Sequence, residues 1–298
     1  MTSTNILISH QTPRLSLGTA TFGYDYGIAN QSGKISSLEV KEILLEAAEL
    51  NISHLDTAPA YGSAQQLIGE FWPEDRPLNL TTKVSPEDCR TASSILKTVQ
   101  DSLVATQVTN FWSVLLHEPS VLFGEDGKEV KAGLLQVLDS GLAARIGISA
   151  YSEAEVIRTK EFMPELTVFQ IPENVCDRRK YFSGNITAMS QQGDQFFVRS
   201  VFLQGLLLME SEDVPKKVRG AEGILIQIHE FCRENSISVL ELCLGYAKSI
   251  PWASGIVVGV ASVEQFRRIA ITFQSVDAQE YGNVPQLDDW LIDPRNWS

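Results

Sequence analysis

Short apolar runs alternate with longer amphipathic stretches along nearly the whole chain. The runs fall at residues 16–19, 52–56, 79–84, 110–116, 144–149, 168–171, 196–201 and 255–260. Each is short and apolar enough to form a strand buried on both faces. Between them, apolar positions recur with helical spacing. Leu38, Val40, Ile43, Leu44, Ala47 and Leu50 make one stripe, and Ala92, Ile95, Leu96, Val99 and Leu103 a second. Leu134, Leu135, Val137 and Leu138 form a third; Val239, Leu242, Cys243, Tyr246, Ala247 and Ile250 precede the last run.

Eight strand-helix units in roughly 300 residues predict an α/β fold of the closed (β/α)8 TIM-barrel type. A doubly wound open sheet would explain the alternation nearly as well. It would favour a G-x-G-x-x-G turn near the first strand, and the chain has none. No linker or internal repeat divides the sequence, so residues 1–298 are expected to form one barrel domain, with 277–298 as a C-terminal lid. Parallel strands also predict where chemistry sits: in loops beyond their C-terminal ends.

Composition narrows the function. The net charge of -13 argues against a nucleic-acid or anionic-membrane partner, since both need a basic surface. The opening MTSTNILISH lacks the pattern of a secretory signal, and no apolar run is long enough to span a membrane. Cys89, Cys176, Cys232 and Cys243 lack metal-ligand spacing and read as packing thiols in a reducing compartment. A cytoplasmic protein is expected. Two basic runs, Arg178–Lys180 at the start of the expected sixth helix and Lys216, Lys217 and Arg219 after strand seven, read as solvated or ion-paired.

The chemistry-bearing residues cluster at strand ends. Asp56 closes the second run and Tyr61 follows five residues later; Lys83 lies at the end of the third, and His117 follows the fourth. A barrel brings these to one mouth. Taken singly, Asp56 reads as a turn cap, Lys83 as its ion-pair partner and His117 as a satisfied strand-end histidine. Together they suit carbonyl reduction. Tyr61 would supply a proton, Lys83 would lower its pKa, Asp56 would hold Lys83, and His117 would orient the substrate oxygen.

These residues carry a specific likeness. LGTATFG, DTAPAYG, LTTKV and LLHEP, followed by GLAARIGIS, FQIPENV and VVGVASVEQ, resemble the aldo-keto reductase family over roughly residues 14–268. The resemblance places Asp56, Tyr61, Lys83 and His117 on that family's catalytic tetrad. It implies an NAD(P)H-dependent oxidoreductase without metal or flavin, and it assigns cofactor contacts to Ser149, Gln170, Arg199, Ser262 and Gln265. Four positions depart from the family pattern. Ala150 stands for an asparagine, Arg199 for a nicotinamide-stacking aromatic, Ala261 for a basic residue and Ile269 for an adenine-binding amide.

NADP(H) is slightly favoured over NAD(H). The expected substrate is a small aldehyde, ketone or alcohol, with a sugar among the options. Its pocket is expected from loops 24–30, 118–128 and 202–219, with Tyr24, Asp25, Tyr26, Asn30, Phe202 and Trp290 as candidate walls. The alternatives are a nicotinamide-binding redox sensor or interaction subunit with slow turnover, and an unrelated barrel lyase or isomerase using Lys83.

Overall fold

A computed structural model describes residues 14–30 and 33–297. The strands are β1 (Arg14–Gly18), β2 (His54–Asp56), β3 (Asn79–Val84), β4 (Ser113–Leu116), β5 (Ile146–Ser149), β6 (Val168–Pro172), β7 (Gln195–Arg199) and β8 (Gly255–Gly259). All pair in parallel, each with its sequence neighbours, and β8 returns to β1 to close the barrel. The helices are α1 (Ala20–Gly23), α2 (Ser37–Glu49), α3 (Ala64–Phe71), α4 (Ala92–Thr106), α5 (Gly127–Asp139), α6 (Glu153–Phe162), α7 (Gly184–Gln191), α8 (Ala221–Asn235), α9 (Val239–Ser249) and α10 (Val263–Ser275). None is long and apolar enough to cross a membrane.

Local chemistry sets several of these boundaries. Thr91, Ser152 and Ser238 each cap a helix through a reciprocal bond with the residue three positions on, satisfying otherwise orphaned N–H groups. The core has two parts. Leu115, Val168, Phe197 and Val257 plug the barrel interior, while the outward faces of the strands pack beneath the helices. His54 and Trp112 lie against the plug, with His54 5.1 Å from Trp112 and 5.8 Å from Phe197 between ring centroids.

Registry makes the opposite mouth level. Gly18 pairs with Asp56 and Gly259, Lys83 with Leu115, Ser149 with Gln170, and Pro172 with Arg199. Adjacent strands therefore bring their terminal side chains to one surface.

Three local expectations change. Leu38 stands exposed, because the buried face of α2 is set by Val40, Ile43, Leu44 and Ala47. Of residues 110–112, Phe111 makes only an isolated bridge to Ala143 before β4 begins. Arg178–Lys180 do not begin a helix; α7 starts at Gly184. The Asn174 side chain instead accepts from Cys176 N and Asp177 N and winds a turn. The basic run is paired, as expected. Arg179 bonds Asp177 at 2.7 Å, and the buried Lys180 ammonium sits 3.6 Å from Glu173 and 3.4 Å from Asp177. Arg178 donates to the carbonyls of Tyr281 and Val284, fastening the C-terminal segment to this turn. That segment bonds Gly245 through Gln279 N and Cys176 through Leu287 N. It then reaches the end of β5, where Arg295 lies 3.6 Å from the Tyr151 ring centroid.

Candidate active site

Asp56, the last residue of β2, is 5% exposed and divides its carboxylate between two donors. Lys83 Nζ lies 2.5 Å from Oδ2, and Gln170 Nε2 donates to Oδ1 at 2.7 Å. Three strands are thereby joined across the mouth. Lys83 Nζ also donates to the Tyr61 hydroxyl at 3.3 Å and sits 5.1 Å from the centroid of its ring. The His117 ring is edge-on to Tyr61 at 6.3 Å. The four expected residues converge.

Tyr61 is positioned by backbone as much as by side chains. It ends a short 3-10 turn, Pro59–Tyr61, with Tyr61 N bonded to Ala58 O at 2.9 Å. The following Gly62 has φ +57, and a Cβ there would lie 2.7 Å from Gly23 O. A Cβ on Gly23 would lie 1.5 Å from Tyr61 O. Two glycines are therefore needed for this turn to sit against α1.

The electrostatics alter one expectation. Burial raises the Tyr61 phenol well above its usual 10, and the Asp56 charge pushes the same way. The anticipated lowering by Lys83 does not prevail against burial, which the Asp56 charge reinforces. Burial also lowers the Lys83 ammonium, with Asp56 acting against the shift. Burial and then the Lys83 charge take His117 down to about 4, leaving a neutral imidazole at physiological pH. The phenol is thus a held proton beside a neutral ring.

Asp56 and Tyr61 open onto a cleft between the ends of β1 and β8 and the segment after β7, which His117 does not line. Asp56, Tyr61, Gln170, Arg199 and Gln265 line it. Lys83 stands behind them, 2% exposed. Ser149, buried at the end of β5, pairs with Gln170. Arg199 reaches back to β5: Nη2 donates to Ala150 O at 3.2 Å and Nη1 to Ser200 Oγ at 3.3 Å. Ser262 and Gln265 serve the N-terminus of α10. Ser262 Oγ accepts from Gln265 N, and Gln265 Oε1 accepts from Ala261 N at 2.6 Å.

Among the expected substrate walls, Tyr26, Asn30 and Phe202 line the cleft, and Tyr24 lies 6.2 Å from Tyr61 between ring centroids. Asp25, Trp290 and loop 118–128 do not; Asp25 accepts from the Asn30 amide instead. Phe123 is drawn outward instead, onto Arg158 and Phe162 of α6. Sequence reading missed a strap over the cleft, where Ala29 N meets Gln204 O at 3.5 Å. Ser200, Leu203 and Gln204 all adopt positive φ there. Only the Gln204-Gly205 step hinted at such a bend.

A family model described as the aldo/keto reductase family matches residues 14–289. No curated protein matches the chain. Among solved structures, the chain is similar to the Pseudomonas aeruginosa protein PA4992, which carries an aldo-keto reductase designation. That match has 19% identity and a TM-score of 0.64, covering 87% of this chain and 88% of the other. It is also similar to the thermostable aldo-keto reductase Tm1743, in a complex with the inhibitor epalrestat. There the identity is 18% and the TM-score 0.66, with 97% of this chain and 96% of that one covered. At these identities the two structures speak for the barrel, and the family model for the relationship. The chain belongs to the aldo/keto reductase family and is an oxidoreductase of that kind.

Proposed function

We propose that the chain reduces an aldehyde or ketone to an alcohol, using NAD(P)H and the Tyr61 hydroxyl as proton donor. The observation that carries this reading is the contact chain from Asp56 through Lys83 to Tyr61, with His117 beside the phenol. When bound, the nicotinamide supplies a hydride to the carbonyl carbon. Tyr61 gives its proton to the carbonyl oxygen, and Lys83 donates an N–H to the phenolate oxygen left behind. Asp56 favours the charged form of Lys83 against the effect of burial. The neutral His117 has one ring N–H with which to orient the carbonyl oxygen. Water then restores the Tyr61 proton.

The cleft suits a dinucleotide. It runs from Tyr61 along the backbone at 18–21 and 257–261 to Gln265. Gln170 spends its amide N–H on Asp56, leaving its carbonyl oxygen for a carboxamide N–H, and Ser149 offers a hydroxyl one strand away. Gln265 and Leu208 also border a second hollow that carries His229, Arg233 and Arg268. Neither arginine has a carboxylate within 4.0 Å among the described residues, which supports NADPH over NADH. Arg267 lends no such support, being tied to Glu46 at 2.6 Å. The buried, unpaired cysteines fit a cytoplasmic setting. The family reading gives the enzyme a small-molecule partner.

The test is binding of NADPH and NADH followed by aldehyde-dependent cofactor oxidation across aliphatic, aromatic, acidic and sugar carbonyls. Binding with turnover, tighter for NADPH, is the expected result. Failure of the folded protein to bind either cofactor contradicts the reductase reading. Binding without turnover of any carbonyl would instead make it a redox-sensing subunit.

A further inference from the structure

Arg199 is a cation on the reacting side of the cleft whose hydrogen-bonding capacity is largely unspent. Its Nε is buried with no partner, and its two hydrogen bonds go to neutral acceptors, Ala150 O and Ser200 Oγ. A guanidinium has five N–H donors, so these contacts leave most of the fork unused. The chain has 37 acidic residues against 24 basic ones. Even so, no carboxylate among the described residues lies within 4.0 Å of Arg199. Asp293 is near enough to feel its charge but is bonded by Arg295 through both carboxylate oxygens. A partly buried cation without a counter-charge is costly unless an anion completes it.

The guanidinium is also held in place. It lies 4.2 Å from the centroid of the Tyr151 ring, and Arg295 lies 3.6 Å from the same centroid. Ring contact and the bond to Ala150 fix its plane before any ligand arrives, reducing the entropy lost on binding. Its position selects the ligand. Arg199 shares the cleft with Tyr61, Asp56 and Gln170, and its field reaches Tyr61, Lys83 and His117. An anion there shares the mouth of the cleft with the Tyr61 hydroxyl.

We propose that Arg199 receives a carboxylate borne by the substrate, so that the preferred substrates are short oxo acids in which a carboxylate stands a few carbons from the carbonyl. This rests on the carbonyl-reductase reading. A planar fork matches a carboxylate in two parallel bonds, which neither a lysine nor the aromatic residue expected at this position could provide. The apolar Phe202 and Leu208 would flank the connecting carbons.

The experiment compares 4-oxobutanoate with butanal, equal in carbon number and different in charge, using NADPH. Wild-type enzyme should show a higher kcat/KM for the acid, chiefly through a lower KM. In Arg199→Gln the acid-to-neutral ratio should fall about 100-fold, as expected for a lost charge-assisted pair, and Arg199→Lys should recover part of it. Succinate should compete with the aldehyde in wild-type enzyme, a readout that needs no variant to fold. Turnover of butanal with no preference for the acid overturns the carboxylate assignment alone. A preserved ratio in Arg199→Gln with weakened NADPH binding assigns Arg199 to the cofactor and overturns it too. No turnover of these or of any carbonyl in the wider panel, with NADPH or NADH, removes the reductase reading on which it stands.

Discussion

A phenol becomes a useful proton donor when it keeps its proton until the moment of reaction and its anion then meets a cation. Tyr61 satisfies both conditions. Burial keeps it protonated beyond its usual 10, and Lys83 Nζ stands 3.3 Å from the oxygen. The reduction rate should therefore show no loss from Tyr61 ionisation below pH 10, measured as kcat/KM against pH. His117, lowered to about 4, should remain neutral down to mildly acidic pH, so an acid limb from this ring belongs near 4. A limb centred near 6.5 would contradict the neutral-imidazole role. The convergence of Asp56, Tyr61, Lys83 and His117 was legible in the sequence because each follows a strand or lies at its end, where parallel order alone brings side chains together. The direction of the Tyr61 shift was not. It depends on burial and on the nearness of the Asp56 charge, neither of which spacing reveals. Arg199 was similarly ambiguous, since its tethers at Ala150 and Tyr151 are some fifty residues away in sequence.

At the scale of elements, the turn carrying Tyr61 is fixed by the contact between α1 and residues 59–62. Gly23→Ala would place a methyl against the Tyr61 carbonyl and must displace the turn. The expected outcome is a fall in kcat of about 100-fold with cofactor affinity nearly retained, since a misplacement of about 1 Å can cost that much. A kcat close to wild type would mean that the turn relaxes without moving the hydroxyl. Helix caps make a milder case. Ser238→Ala should lower stability by about 1 kcal/mol in denaturant unfolding, with activity unchanged. Strand and helix order was readable because the run lengths and stripes obey distinct periods. The turn at 174–180 was not, because Asn174 and the C-terminal segment hold it through contacts distant in sequence. The strap over the cleft was hidden for another reason: its bend depends on three non-glycine residues at positive φ.

For the whole molecule, the closed barrel separates a reacting mouth from a structural base. His54 belongs to that base, packed against Trp112 and Phe197 and bonded by Arg14 at 3.2 Å. Burial, with the charges of Arg14 and Arg145, lowers it to about 4. Its folded pKa is thus below its unfolded value of 6.5, and the unfolded chain binds the extra proton between those values. Stability from this residue is present above pH 6.5 and is lost as the pH falls toward 4. In His54→Phe, the drop in Tm between pH 7 and pH 4.5 should be smaller than in wild type; an unchanged drop would place acid sensitivity elsewhere. The barrel itself followed from eight alternating units and the missing glycine-rich turn. The charge of -13 indicated only which partners to set aside.

The central claim, that Tyr61 gives the proton in carbonyl reduction, is tested most directly by Tyr61→Phe. NADPH oxidation by a reactive aldehyde would be followed at saturating cofactor, with cofactor affinity measured in parallel. The expected result is a loss of turnover of about 1000-fold, within the range for removing a general acid, and a dissociation constant for NADPH within a few-fold of wild type. Turnover within a few-fold of wild type would contradict the assignment.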